Sequence, residues 1–509
     1  MRFAATSTRL PVLGPAVALF LALAAPGLSP ARAQTPDRAP DTVLAGTITG
    51  EDHQRYRRIP FTLPEGTERL VVAFDYDQRD KKTVIDLGIA DMHGFRGASG
   101  GNKASFTIAE TDATPSYLPG RLEPGEWALA LAIPNIRRGV TAHWTARLWF
   151  LKGAEAQWLP TPTAGRGPGW YRGDLHLHSA HSDGSCDSQS GKKVPCPLYR
   201  TLEAATERRL DFVAVTEHNT ASQAQVLREA QPYFDRMLLI PGREVTTFYG
   251  HFNIFGVTEP LDFRIAPGID NSFNRIADRV HALGGVVSIN HPGMPSGELC
   301  MGCGWTMADV DYAKVDAVEA VNGSTVASVG GNPEGAMSGI PFWLDRLNAR
   351  ATTAVGGSDN HGPDRAGMGG VGAPVTVVEA ADLTQPAILD GIRHGRVFIL
   401  IRDRAGPTHL DFAIGATKGV RARMGGELAV LSSARLTLIP DVAGPVGATF
   451  EVVDGSAVVA RVPLNQPTLD APIPLRLSPG LHRIRVQMRG TDGELLAIGN
   501  AVRVTIGAR

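Results

Sequence analysis

The chain has 509 residues, too many for one ordinary core, and its 43% hydrophobic and 20% charged residues exclude an intrinsically disordered chain. Lys and Arg number 50 against 51 Asp and Glu, a formal net charge of -1. That balance leaves no basic surplus for a phosphate backbone and argues against nucleic acid as the main partner.

Arg2 and Arg9 flank the start of an apolar stretch that runs from Pro11 to Ala25, and Ala31-Arg32-Ala33 supplies a small-x-small site. This is the pattern of a secretory signal, so residues 1–33 are expected to be removed and the mature chain to be periplasmic or secreted. The apolar run is short for a bilayer and contains Pro15. No later stretch is apolar enough to span, so no membrane span is expected after cleavage.

Between 47 and 151, short alternating segments (70–76, 105–108, 127–132, 143–150) are separated by turns such as Glu123-Pro124-Gly125. Many short strands with turn signals predict a β-sandwich-like domain over 34–160. Pro160 to Gly169 reads as a linker. From 170 to 402 short apolar strands alternate with helical stretches. Strands are predicted near 174–178, 212–216, 238–240, 252–255, 286–290, 317–321 and 353–357, and helices near 198–209, 223–233, 271–283, 341–349 and 385–395. A polar residue closes almost every strand, which is the pattern of a β/α barrel. Alternating strands return over 406–509 (435–439, 449–453, 483–486) and predict a second β-sandwich-like domain.

The cysteines are Cys186, Cys196, Cys300 and Cys303. An even count in an exported chain suggests two bridges, with three pairings open. Cys186–Cys196 with Cys300–Cys303 is the first choice, because the former staples one loop. A zinc site on all four is the rival reading.

The residues that carry chemistry collect at strand ends. His176 and His178 stand two apart on one strand and face the same side. Asp183 follows them, His218 and Asn219 close the next strand, and Glu244 the third. His251 opens the fourth strand, Asn290 and His291 close the fifth, and Ser358, Asp359 and His361 close the last. Barrel enzymes assemble their sites at these ends, and nitrogen and oxygen donors of this kind suit Zn, Mn or Fe. A lone buried His is usually bonded to a backbone carbonyl and a lone strand-end Asp is often a helix cap. Those explanations do not cover so many ligands at matching ends.

Asp174-Leu175-His176-Leu177-His178 with Ser182-Asp183-Gly184, Thr216-Glu217-His218-Asn219, Glu244, His291 and Ser358-Asp359-Asn360-His361 resemble the motifs of the PHP (polymerase and histidinol phosphatase) superfamily. Glu244-Val245-Thr246-Thr247 followed by Gly250-His251-Phe252-Asn253 resembles its CehA/McbA branch, which includes carbaryl hydrolases. The resemblance covers the 170–402 segment and neither flank. It implies a distorted (β/α)7 barrel holding two or three divalent metal ions. By that analogy His176, His178, Glu244 and Asp359 hold one metal, and Asp183, His218 and His361 a second. Glu244 bridges, and His251 and His291 reach a third or complete the cluster. The sequence departs from the family at Glu217, where Asp is commoner, and at His181, read as a loop residue at the pocket mouth.

Two cations about 4 Å apart lower the pKa of a shared water, and the metal-bridged hydroxide attacks phosphorus or a carbonyl carbon without a side-chain nucleophile. Asp183, His218 and Glu244 are the catalytic candidates, the first two as proton carriers. Arg243, Asn219, Asn290, Asn322 and His181 are substrate-binding candidates; the asparagines also read as supports for ligands. Lys192 and Lys193, on the Cys186–Cys196 loop, would attract an anion. Met294, Met301, Trp305 and Met307 read either as a wall for an aryl or alkyl group or as simple loop packing. The expected function is hydrolysis of a small-molecule phosphoester. Carbamate or carboxyl ester hydrolysis is the alternative, and a non-catalytic metal-dependent binding protein is the reading from another class.

Overall fold

The computed structural model describes residues 35–160, 165–298, 300–402, 408–416, 419, 421–431 and 435–507. The expected signal segment 1–33 lies outside these residues. No helix among them is long and apolar enough to cross a membrane.

The N-terminal part holds two four-stranded antiparallel sheets. One contains Thr42–Thr49, Arg69–Tyr76, Ser105–Ala109 and Thr141–Leu151; the other Arg55–Leu63, Val84–Ala90, Phe95–Ser99 and Gly125–Asn135. Period-2 alternation turns Leu70, Val72 and Phe74 of the first sheet toward Leu87, Ile89, Trp127 and Leu129 of the second, in one shared core.

The central part is strand-rich with short helices. Its strands are Gly169–Asp174, Phe212–Val215, Leu238–Thr247, Gly250–Phe255, Val286–Ile289, Ala317–Asn322 and Thr353–Gly357. Almost every residue in them is buried, which is why they read as continuous apolar runs rather than as alternation. The helices Leu198–Glu207, Gln223–Ala230, Phe273–Ala282, Ile340–Arg346 and Gln385–Arg393 lie where the sequence places them. A sixth, Gly323–Ser328, was not foreseen; the Asn322 side chain caps it by accepting from Thr325 N (2.8 Å).

The expected distorted (β/α)7 barrel is realised only in part. Among the described residues the ladder does not close. The free edge of Gly169–Asp174 is taken by Val375–Ala380, which runs antiparallel to it, so Thr353–Gly357 cannot pair there along its length. The two ends meet through an isolated parallel bridge, Leu177 with Asn360, and through the Thr376 hydroxyl, which bonds Gly356 N (2.8 Å) and O (2.6 Å). Nor is each strand followed by a helix, because Leu238–Thr247 and Gly250–Phe255 form an antiparallel hairpin.

In the C-terminal part, His409–Ala416, Arg421–Arg423, Leu436–Ala443, Thr468–Leu469 and Ile473–Leu475 form a separate five-stranded sheet, while the remaining strands continue the central sheet. Val397–Leu400 pairs with Leu495–Gly499, and the path continues into a 15-stranded sheet. Phe398 and Leu400 accordingly sit in one core with Leu410, Phe412 and Val486.

Candidate metal centre

Alternation aims the first two ligands. Leu175 and Leu177 are buried in apolar cores, so His176 and His178 face the other way. Backbone bonds lock this segment to the one after Thr353–Gly357: Asp359 N donates to His176 O (2.9 Å) and His178 N to Asn360 O (2.9 Å). Buried Asp174 ties the two together, accepting from Ser358 N (2.9 Å), His176 N (3.1 Å) and Gly372 N (2.8 Å). Burial pushes its carboxyl up to about 6. Gly357 lets the strands approach, because a Cβ there would lie 2.5 Å from both His176 Cβ and Glu319 Oε1. His291 and Asp359 sit at positive φ (24° and 53°), a backbone region that non-glycine residues avoid unless their surroundings impose it.

All nine expected ligands come together in three linked groups. His176 and His178 place Nε2 3.3 and 3.5 Å from Glu244 Oε2, and 3.4 and 3.3 Å from Asp359 Oδ1. Asp183 Oδ1 lies 3.6 Å from His218 Nε2 and 3.4 Å from His361 Nε2, with His178 in the same group. Glu244 Oε1 lies 3.3 Å from both His251 Nδ1 and His291 Nε2. Glu244 thus presents one oxygen to each of two groups. His176 Nε2, His178 Nε2 and His251 Nε2 are buried without a hydrogen-bond partner. A buried polar atom left unpaired is costly, and divalent cations beside Glu244 and Asp359 would satisfy the His176 and His178 nitrogens. The donor set therefore fits metal ions.

The electrostatics agree. Burial favours neutral His176, but the Asp359, Glu244 and Glu319 carboxylates outweigh it and raise its pKa well above the usual value. Burial opposes ionisation of Glu244 and Asp359 too, yet the imidazoles, His176 foremost, hold both well below the carboxylate range. Burial is likewise outweighed at the mouth, where His361 rises to about 9 and Asp183 falls to about 2 through their mutual hydrogen bond and charges. Without cations, imidazole protons balance this negative charge; a divalent ion supplies the same sign of charge at the same place.

Behind the ligands stands a layer of acceptors and donors. Glu319 was not singled out from the sequence. Its Oε1 lies 3.0 Å from His176 Nδ1, and its Oε2 accepts from His291 N and Asn322 Nδ2, each at 3.0 Å. The signal that would have found it is a lone carboxylate inside the apolar run Ala317-Val318-Glu319-Ala320-Val321. Glu217 accepts from Ser179 N (3.0 Å) and from the Ser179 and Ser182 hydroxyls. Thr246 Oγ1 lies 2.7 Å from His218 Nδ1.

The residues read as substrate contacts sit as follows. Asn290 is fully buried and donates to Glu244 Oε1 (2.9 Å). Asn322 is buried and donates to Asp359 Oδ2 (3.2 Å) as well as to Glu319. Asn219 bonds Thr246 N and O. Arg243 is buried on the opposite side of its strand from Glu244, donating to Thr220 O and Glu259 O, and burial lowers its pKa to about 10. His181 is half-buried and bonds the Ser222 hydroxyl (2.8 Å).

The cysteines pair as Cys186–Cys196 and Cys300–Cys303, so the four-thiolate zinc alternative is set aside. The first pair staples the Ser185–Asp187 and Lys193–Pro195 hairpin, whose Ser185 N donates to His361 O (2.7 Å). On it, Lys193 pairs with Asp187 at 3.1 Å. In the second, Cys303 O lies 3.2 Å from His291 Nδ1.

Glu319→Gln is expected to weaken metal binding about 10- to 100-fold, the usual cost of removing the group that orients a ligating imidazole. Competition with a chromogenic chelator measures it, and unchanged affinity would show that Glu319 does not orient His176.

No family model and no curated protein matches the sequence. Among solved structures, a protein of Bifidobacterium adolescentis ATCC 15703 assigned as a metal-dependent phosphoesterase is similar at 18% identity, with a TM-score of 0.26. The likeness covers 39% of this chain and 90% of the other. At that level it transfers no function, which has to be argued from the site's own geometry.

Proposed function

We propose that this chain is an exported metal-dependent hydrolase of small-molecule esters, with phosphoesters as the first substrate class. The carrying observation is the shared carboxylate: Glu244 joins two ligand groups, and in the first of them His176 Nε2 and His178 Nε2 are buried without a hydrogen-bond partner. Divalent ions held there would supply an activated water and neutralise charge on the ester oxygen. His176, Glu319 and Asn290 close the deep side, whereas Asp183 is exposed and His218 and His361 are half-buried. Substrate therefore enters past Asp183, which places His218 and Asp183 to carry a proton to the leaving group. Ser179 and Ser182 both donate to Glu217. Export rests on the 1–33 segment and on the two cysteine pairs. The PHP resemblance, and within it the CehA/McbA branch, supports the same reading. Carbamate or carboxyl ester hydrolysis is the second reading, favoured by the exposed apolar Phe248 and Met301, which stand two residues along the chain from Thr246 and Cys303, the contacts of His218 and His291. A non-catalytic binding protein would have lost ligands, and all nine positions are filled.

Elemental analysis of purified protein, followed by assay of aryl phosphomonoesters, phosphodiesters, carboxyl esters and carbamates with Mn, Zn or Fe, tests this. Two or three metals per chain are expected, with metal loss in His176→Ala and Asp359→Ala. Less than one metal per chain and no hydrolysis after adding Mn or Zn would sink it. Stripping the metals should also lower the melting temperature, since an ion at 100 times its Kd stabilises by about 2.7 kcal/mol. Calorimetry with and without chelator reads that loss.

A further inference from the structure

We infer that the Cys300–Cys303 bridge positions His291 and so makes metal occupancy of the Glu244, His251 and His291 group depend on the thiol redox state of the surroundings. The inference rests on the metal-dependent reading above and concerns one of its three ligand groups.

The bridge reaches His291 through one hydrogen bond. His291 Nδ1 lies 3.2 Å from Cys303 O. A carbonyl only accepts, so Nδ1 carries a proton and Nε2, 3.3 Å from Glu244 Oε1, is left to ligate. A partner of this kind sets the ring's orientation as well as its tautomer. His291 needs such a hold, because its backbone at φ 24° has to be imposed by its surroundings.

The position of that carbonyl depends on the turn that carries it. Cys300 exchanges two backbone bonds with Gly297, each 3.1 Å. Gly304 N donates to Ser296 Oγ (2.9 Å), and Thr306 N to Tyr249 O (2.7 Å). Between these anchors Gly302 takes φ 74° and packs so closely that a Cβ would lie 2.1 Å from Thr247 O. The disulfide ties Cys303 to the anchored Cys300 across this turn. Opening it returns conformational freedom to Met301, Gly302 and Cys303, glycine having the widest range to regain, and the carbonyl loses its single position.

The two bridges differ in access. Cys186 and Cys196 are both buried, and so is Cys303, whereas Cys300 is half-buried beside the exposed Met301. The Cys300 sulfur is therefore the one a thiolate can attack. A dithiol forms a mixed disulfide there and expels Cys303 as a thiolate, which takes up a proton. The second sulfur of the dithiol then closes on the first and releases the Cys300 thiol. Two electrons and two protons pass from the dithiol to the pair, and the dithiol leaves as a disulfide. With the export proposed above, the bridge closes only outside the reducing cytoplasm, so this ligand group is completed after export.

The test is Mn affinity, read by chelator competition in three forms of the full chain. These are wild type with both bridges closed, wild type treated with dithiothreitol and desalted without air, and the Cys300→Ser, Cys303→Ser double variant, which keeps the backbone carbonyl at position 303. One Mn site should weaken about 10- to 100-fold in the second and third forms while the others hold, which a general loosening of the fold would not allow. Reoxidation should restore that site in wild type and not in the double variant. Saturating Mn should in turn protect Cys300 from reduction and alkylation in a dithiol buffer, because the coupling is reciprocal. Affinities within about twofold of the bridged form, or equal weakening of every site, overturn the positioning role. A Cys300–Cys303 bridge that stays closed in excess dithiol overturns the switch. If wild type binds neither Mn nor Zn, the metal reading fails separately. Positioning is then read from the nitrogen spectrum of histidine-labelled protein, with the His291 signal assigned through His291→Gln. Loss of its single protonated-Nδ1 tautomer in the double variant supports the inference, and an unchanged signal overturns it.

Discussion

Glu244→Gln should abolish most of the metal content and lower hydrolysis by about 10³-fold or more, well beyond the ~10–100-fold typical of residues that only orient a ligand. No other side chain touches as much of the site. Its two oxygens approach five imidazoles, those of His176, His178, His218, His251 and His291, at 3.0 to 3.5 Å. Glutamine keeps the shape and the Asn290 contact is replaceable, but one oxygen becomes an amide nitrogen that cannot ligate, and the charge shared by two groups is lost. The metal groups on either side of residue 244 should fail together, whereas Asp183, His218 and His361 still form a partial site. Elemental analysis with a kcat/KM measurement checks this. Full metal occupancy with activity within about tenfold of wild type would contradict the bridging role.

The contrast between His291 and Glu319 shows how far the site is legible in the sequence. Ligands that must reach a common point sit at strand ends, and strand ends are visible as the polar residue after an apolar run. His291 and Asp359 have that signature, whereas Glu244 lies inside the Leu238–Thr247 strand. Glu319 acts from inside a strand, where its only mark is being charged among Ala317, Val318, Ala320 and Val321. Asn290 and Asn322 carry the strand-end signature too, and their amides bond Glu244, Glu319 and Asp359. A sequence shows that a polar group is at the rim, not which neighbour consumes its hydrogen bonds.

Strand positions were readable for a similar reason and strand partners were not. The run Val286–Ile289 is apolar whatever lies beside it. Whether Val375–Ala380 or Thr353–Gly357 takes the free edge of Gly169–Asp174 depends on pairings between residues some 200 positions apart, and both candidates are equally apolar. The Gly250–Phe255 hairpin was in principle visible: Gly250 at φ 146° closes a two-residue loop that only an antiparallel partner can follow.

The largest stability effect is expected far from the ligands, at Asp112→Ala, with a cost of about 3–5 kcal/mol. Asp112 is fully buried between the N-terminal sheets and the central part. Arg69 grips it with two parallel bonds, at 2.7 and 2.6 Å, and Arg228 of the Gln223–Ala230 helix bonds the same carboxylate from the other side. Burial alone would raise its pKa; the two guanidiniums, Arg69 foremost, outweigh that and hold it below the usual carboxylate range. Alanine would leave two buried positive charges facing each other with nothing between them, which is why the cost exceeds that of an ordinary lost ion pair. The adjoining Ala113 N to Gln225 Oε1 bond (2.7 Å) would be strained by the same change, so the loss should appear first as loosening of the N-terminal sheets from the helix. Hydrogen exchange at 105–117 and 223–230 locates it, and denaturant titration sizes it. Arg228→Met in the Asp112→Ala background removes one of the stranded charges and should restore part of the stability. If the double variant is instead as unstable as the sum of the two single changes, the stranded charge is not the cause.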